Sequence, residues 1–323
     1  MKQVLVTESL HPSGRQLLEA RADIEPIYLD GDQSRLAETL KTVHGVVLRS
    51  MVLSETDLRA AANLQVVSRH GVGCDNIAVD YLSTRGIPVA IAVNSNTTSV
   101  VEQVMMMMLV LNKNAVAYDQ LTREHHFNRR GELPASELCG KHILIVGFGR
   151  IGKRLAPVCK AFGMQVTVAD IALDEQYADA LGCRGVSDFR PVLPTADYLS
   201  VHVPLKADTR HLIGEQELAA LPAHAIVINC ARGGIIDEQA LAAAIQANKL
   251  AATGSDVFET EPPATDNPLL SLPRSILTPH NAAGTNESLE RMTVYSVRNA
   301  LAGIDGTLDP DMMYNRDALL QRT

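Results

Sequence analysis

Residues 141–170, KHILIVGFGRIGKRLAPVCKAFGMQVTVAD, constrain what this chain can fold into more than any other stretch. The apolar run at 143–146, set between Lys141 and Gly147, predicts a buried strand. GFGRIG follows, and then Ile151, Leu155, Val158 and Phe162 recur at helical spacing, which predicts a helix with those four on one face and Gly163 at its end. Residues 165–169 predict a second strand closing on Asp170, eighteen positions after Gly152. A dinucleotide fingerprint needs a G-x-G-x-x-G turn between strand and helix and an acid about twenty residues on. Gly147 allows the tight turn, Gly149 lets backbone approach a pyrophosphate, and Gly152 lets helix and strand pack closely. The helix N-terminus offers unpaired N–H groups and a partial positive charge to phosphate. The alternative for the same segment is an ordinary βαβ unit without a ligand.

Asp170 also selects among dinucleotides. An acid there accepts hydrogen bonds from ribose hydroxyls, whereas a 2′-phosphate would meet like charge. Ile171 and Ala172 supply no cation, so the expected cofactor is NAD.

At 323 residues the chain is long enough for two domains with separate cores. No run of eighteen apolar residues suggests a membrane span. The start, MKQVLVTESL, lacks the apolar centre of a signal peptide, so a cytoplasmic protein without a membrane partner is expected. A formal net charge of −8 leaves no electrostatic footprint for nucleic acid. The five cysteines, at 74, 139, 159, 183 and 230, show no CxxC pairing, and neither a disulfide framework nor a metal site is expected.

In chain order, strands are predicted near 4–7, 46–48, 65–68 and 87–91, with helices at 13–20, 54–61 and 76–83. That alternation means a parallel sheet with crossovers. Two turns stand where ligands meet such sheets: Arg49 and Ser50 after VVL, and RHGVGCDN at 69–76 after QVV. Around Val72, Gly71 and Gly73 expose N–H groups suited to an anion. Alternatively the glycines only make the turn, with Asp75 and Asn76 capping the next helix. Residues 97–111 predict a helix apolar nearly all round, hence buried, carrying methionines at 105–108. A more polar helix and loop follow to residue 130. Later strands are expected at 198–203, 226–229, 254–258 and 276–277, and helices at 215–220, 238–247 and 287–302, the last ending at Gly303.

Three polar residues follow those late strands: Arg232 in NCARGG, Glu261 in DVFETEPP and His280 in TPHNAAG. A nicotinamide enzyme acting on a carbonyl needs a cation for carbonyl or carboxylate, a proton donor, and a carboxylate orienting that donor. Arginine, histidine and glutamate suit those tasks.

The strings VGFGRIG, VINCARGGIIDE, SDVFETEPP and LTPHNAAGT, in that order and preceded by VLRS and RHGVGCDNI, resemble the D-isomer-specific 2-hydroxyacid dehydrogenases over nearly the whole chain. The branch that includes D-3-phosphoglycerate dehydrogenase is the most similar. The resemblance implies an α/β fold with two doubly wound parallel-sheet domains, a Rossmann-type NAD-binding domain (100–286) inserted into a flavodoxin-like substrate domain (1–99 and 287–323). It implies Arg232 as the residue binding the substrate's carboxylate and carbonyl, His280 as acid/base and Glu261 as its partner. It implies cofactor contacts at Arg150, Ile151, Asp170, Cys230, Ala231, Asp256 and His280 beside the glycines. The backbone of Val72 and Gly73 would hold the substrate carboxylate, with Arg49 and Ser50 near its distal end. A homodimer formed through the cofactor domain is also implied.

Of the other histidines, His70 reads as a solvated turn residue with substrate contact as the alternative, and His202 as structural or a cofactor neighbour. The chain departs from its relatives in three ways. It has no tryptophan, and Phe127 takes the place such proteins often give one after the long helix. NAAGT carries less glycine and serine than is usual after TPH. The sequence ends soon after its last helix, so the regulatory domain of some phosphoglycerate dehydrogenases is expected to be absent. A dinucleotide-sensing corepressor like the C-terminal binding proteins is a competing function, disfavoured by the lack of long disordered tails and of a basic patch. Formate dehydrogenases characteristically have glutamine where this chain has Glu261.

Overall fold

Strands and helices alternate as the periodicity predicts. In the computed structural model, which describes residues 1–321, they build two units. One unit comprises Met1–Asn96 and the residues from Gly284 on; the other is Thr97–Ala283.

In the first unit, β1 (Lys2–Val6), β2 (Ile24–Tyr28), β3 (Gly45–Leu48), β4 (Val66–Arg69) and β5 (Val89–Ile91) form a wholly parallel sheet ordered β2-β1-β3-β4-β5. Side chains alternate between its faces. Val4, Val6 and Val47 pack with Leu18, Val297 and Ala300, while Leu5, Val46 and Leu48 pack with Leu40, Leu58 and Leu82. A parallel sheet covered on both sides reads as continuous apolar runs, which is why most of these strands were legible. β2 was not, because IEPIY carries Pro26, and a residue without an N–H donor is confined to the sheet edge that β2 occupies.

The helix Asn286–Asp305 runs past Gly303, the predicted stop, and ends at Gly306, whose φ of 71° suits a left-handed cap. Gly303 serves contact instead: a Cβ there would stand 2.6 Å from Val66 Cβ. His70 also departs from expectation. It is buried, 5% exposed, with Nε2 2.8 Å from Thr293 Oγ1 on that helix.

In the second unit, β6 (His142–Val146), β7 (Gln165–Ala169), β8 (Arg184–Val186), β9 (Tyr198–Val201), β10 (Ile226–Asn229), β11 (Ala252–Ser255) and β12 (Ser275–Leu277) form a parallel sheet. Its order, β12-β11-β10-β9-β6-β7-β8, is the dinucleotide-fold arrangement with one strand added at the far edge. Ile143 and Ile145 face a core shared with the helices Thr97–Lys113 and Arg150–Ala161; Leu144 and Val146 face the opposite core. Met105, Met107 and Met108 are buried there and Met106 is half-buried.

The helix Arg150–Ala161 is rotated from the predicted face. Gly152, Leu155, Ala156 and Cys159 are buried, whereas Val158 is half-buried and Phe162, its C-cap, is exposed. Gly152 sets that rotation, because a Cβ on it would lie 2.1 Å from the carbonyl oxygen of Gly147. β8, a short edge strand without an apolar run, and the early end of β11 at Ser255 were likewise not predicted.

Candidate active site

The glycine turn sits between β6 and β9, where the strand order of the second unit reverses. Gly147, at φ 103°, passes so close to the chain after β9 that a Cβ would meet the His202 carbonyl carbon at 2.6 Å. At Gly149 the opposite holds: the Cβ direction is open, with nothing within 4 Å. The helix Arg150–Ala161 begins there without a side-chain cap, so its first-turn donors are left for a ligand. Arg150 is exposed, and Ile151 is half-buried against the core. Asp170 accepts from the Phe148 N–H at 2.8 Å through Oδ2 and from the Ala172 N–H at 2.9 Å through Oδ1. The acid is thus fixed beside the turn. Lys153 is engaged by Asp174 at 2.6 Å. An open cradle, helix donors and a fixed acid fit a dinucleotide.

Three loops at the carboxyl ends of β10, β11 and β12 carry the remaining candidates of this unit. After β10, Asn229 ties the turn: its Nδ2 donates to the Arg232 carbonyl at 2.9 Å and its Oδ1 accepts from the Ala231 N–H at 3.0 Å. Arg232 itself donates to the Ala231 carbonyl at 2.7 Å. Gly233 brings this turn against the loop after β11, since a Cβ there would lie 1.8 Å from the Phe258 carbonyl oxygen. Cys230 is buried with Sγ 3.7 Å from Met107 Sδ, and burial, helped by the Asp256 charge, pushes its thiol pKa up. Ala231 is buried too, so these two can meet a ligand only through backbone.

Asp256, 1% exposed, organises the third loop. Its Oδ1 accepts from Thr278 Oγ1 at 2.5 Å and the Asn281 N–H at 2.9 Å, and its Oδ2 from the Ala282 N–H at 2.8 Å. Gln103 adds a 2.9 Å bond to Thr278 Oγ1. His280 is held between these anchors in a left-handed conformation, φ 51°, with its N–H 2.7 Å from the Asp256 carbonyl. Its Nδ1 lies 2.7 Å from Glu261 Oε2, and Glu261 Oε1 accepts from the Phe258 N–H at 3.1 Å. Burial pushes the Glu261 carboxyl up. The His280 hydrogen bond, the Phe258 N–H and the charges of His280 and Arg232 outweigh it and hold the carboxyl below its ordinary value. The imidazole is then fixed at Nδ1, leaving Nε2 for proton transfer.

Sequence reading gave no role to Asn229, Gly233, Gln103 or Thr278. Each follows directly on, or packs against, the end of a predicted strand, which was the available signal. His202 is half-buried, with Nε2 2.8 Å from Ser200 Oγ and a buried Nδ1 without a partner among the described residues.

In the first unit, Arg49 is half-buried and Ser50 exposed after β3. Among the described residues, the N–H groups of Val72 and Gly73 have no protein acceptor, while the Gly73 carbonyl accepts from Arg69 Nε at 2.7 Å.

Residues 105–282 match the family described as D-isomer specific 2-hydroxyacid dehydrogenase, NAD binding domain. The D-3-phosphoglycerate dehydrogenase of Methanocaldococcus jannaschii is 37% identical over 289 residues, which are 89% of this chain and 55% of that protein. Among solved structures, the D-lactate dehydrogenase of Aquifex aeolicus complexed with NAD and lactic acid is 30% identical, with a TM-score of 0.85 over 94% of this chain and 96% of that one. An NADPH-dependent glyoxylate/hydroxypyruvate reductase of Sinorhizobium meliloti in complex with citrate is 28% identical, with a TM-score of 0.83 over 94% of each chain. This chain spans about half the length of the curated relatives it matches.

Proposed function

Because the chain belongs to the D-isomer-specific 2-hydroxyacid dehydrogenase family, we propose that it is an NAD-dependent oxidoreductase that interconverts a small D-2-hydroxy acid and its 2-oxo acid. The observation that carries the reading is His280 Nδ1 held 2.7 Å from Glu261 on loops beside Arg232. NAD(H), when bound, supplies or accepts the hydride at the substrate carbon. In reduction, His280 gives its Nε2 proton to the carbonyl oxygen while Glu261 holds Nδ1–H; in oxidation the neutral ring takes the hydroxyl proton. Arg232 pairs with the substrate carboxylate and draws charge toward the carbonyl oxygen. The Val72 and Gly73 N–H groups suit a carboxylate oxygen, and Arg49 and Ser50 suit the distal end of such an acid.

The substrate class is that of 3-phosphoglycerate, hydroxypyruvate or glyoxylate, as the names of the relatives suggest. A panel of 2-oxo acids with NADH, followed by loss of nicotinamide absorbance, tests this. Oxidation of NADH by hydroxypyruvate or glyoxylate is expected; no turnover with any member of the panel would sink the proposal.

The protein acts as a homodimer formed through the cofactor-binding unit. Met106 and Leu109 on the helix Thr97–Lys113 are only half-buried within that unit, and Val116 and Phe127 beyond it are 60% and 65% exposed. Apolar surface of that kind favours a symmetric contact. Five free cysteines, one of them exposed, suit a reducing cytoplasm.

A further inference from the structure

The carboxyl ends of β1, β3 and β4 converge on the turn at residues 49–51. In the order β2-β1-β3-β4-β5, the connections from β1 and β3 leave in opposite directions, and ligands of open α/β sheets bind at that reversal. Glu8, just beyond β1, turns its carboxylate into the 49–51 turn. Its Oε1 accepts from the N–H groups of Ser50 at 2.6 Å and Met51 at 2.8 Å. Its Oε2 accepts from the Arg49 N–H at 3.2 Å and from the Thr7 hydroxyl, which itself accepts from the Arg49 N–H at 3.2 Å.

Two more side chains hold carbonyls of the same turn, one of them also bridging to the chain after β4. Arg69, the last residue of β4, donates to the carbonyls of Arg49 and, at 3.1 Å, His70. Asn76 Nδ2 donates to the Met51 carbonyl at 2.6 Å. Three successive N–H groups aimed at one point form an anion nest, and here the chain's own acid fills it. A substrate cannot use those donors. What remains is the Arg49 guanidinium and the Ser50 hydroxyl, neither of which has a hydrogen-bonding partner among the described residues.

We propose that Glu8 is a positioning residue for substrate recognition, fixing the 49–51 turn so that Arg49 contacts the distal group of the 2-oxo acid. This rests on the reading of Arg49 as substrate-facing given above. A carboxylate is required because all the groups it meets are donors; an amide would turn its own N–H₂ toward one of them.

The test is steady-state kinetics at saturating NADH with hydroxypyruvate, which has a distal hydroxyl, and glyoxylate, which has no distal group. Glu8→Gln is expected to raise KM for hydroxypyruvate about tenfold, the equivalent of one charge-assisted hydrogen bond, with kcat changed less than about twofold and KM for glyoxylate unmoved. Arg49→Ala should raise KM for hydroxypyruvate at least as much, and the double variant should be no worse than Arg49→Ala alone. If Arg49→Ala leaves the hydroxypyruvate KM unchanged, the reading of Arg49 fails and the role of Glu8 with it. If Arg49→Ala raises KM but Glu8→Gln does not, or the two effects multiply, or glyoxylate is affected equally, only the role of Glu8 is overturned. Should Glu8→Gln not fold, Thr7→Val, which removes the hydroxyl bridging Glu8 and the Arg49 N–H, is expected to give a smaller rise in KM that likewise does not add to Arg49→Ala. An additive or absent effect overturns the proposal in that case too.

Discussion

His280 and Glu261, 19 residues apart in sequence, meet at 2.7 Å because both loops are anchored on the chain around Asp256 and Phe258. The pair is charge-assisted, and Asp256 holds the His280 loop in place. A carboxylate at Nδ1 selects the tautomer or protonation state that carries a proton on Nδ1 and leaves Nε2 for proton transfer.

Glu261→Gln should therefore lower kcat for reduction roughly 10–100-fold with little change in the affinity for NADH, the range expected when a proton donor loses its orienting partner. Because the Glu261 carboxyl lies below its ordinary value, it is ionised at neutral pH. The normalised acid limbs of wild type and variant should coincide above about pH 5. An acid limb above that point that vanishes in Glu261→Gln would show that Glu261 titrates during turnover.

Asp170→Ala should narrow the preference for NADH over NADPH. The wild-type acid is fixed by the Phe148 and Ala172 N–H groups, where it would accept from ribose hydroxyls and repel a 2′-phosphate. The ratio of kcat/KM for the two cofactors measures this; equal efficiency with both in the wild type would refute the selection argument.

Gly233→Ala should abolish most activity and lower Tm, since a Cβ 1.8 Å from the Phe258 oxygen forces two backbones apart. The turn carrying Arg232 and the loop carrying Glu261 would both shift, and displacement by about 1 Å can cost around 100-fold in rate. A fully active Gly233→Ala would contradict the close approach.

Stability should fall between about pH 6.5 and pH 4. Burial lowers the pKa of His70 to about 4, assisted by the Arg49 and Arg69 charges, and burial alone lowers that of His202 to about 4. The unfolded chain binds those protons at the ordinary value near about 6.5, so it holds more protons than the native state in this window and is favoured as pH drops. At about pH 5 each histidine should cost roughly 2 kcal/mol relative to neutral pH. Urea unfolding at both pH values checks the sign, and His70→Gln should flatten the dependence of the first unit.

Light scattering at micromolar concentration should give the mass of two chains. Val116→Glu, on the exposed face of the helix Ala115–Arg123, should shift the protein toward monomer. A monomeric wild type would remove the argument from the half-buried Met106 and Leu109.

The sequence alone determined the alternation of strands and helices, the glycine turn with its terminal acid, and the three polar residues after late strands. Each of those signals is local: apolar runs mark buried parallel strands, and a G-x-G-x-x-G turn needs only its neighbours in the chain to make sense. Tertiary structure decided the rest. The helix after the turn rotates by Gly152 meeting Gly147, and Gly303 lies inside a helix because Val66 packs against it. His70 lost its place in solvent to Thr293, more than two hundred residues away. Asp256 became the anchor of the His280 loop, and Glu8 the acid inside the 49–51 turn, 41 to 43 residues from its partners. Such roles have no signature in local periodicity, because a carboxylate takes whichever donors the fold brings to it, and only the folded chain fixes which ones they are.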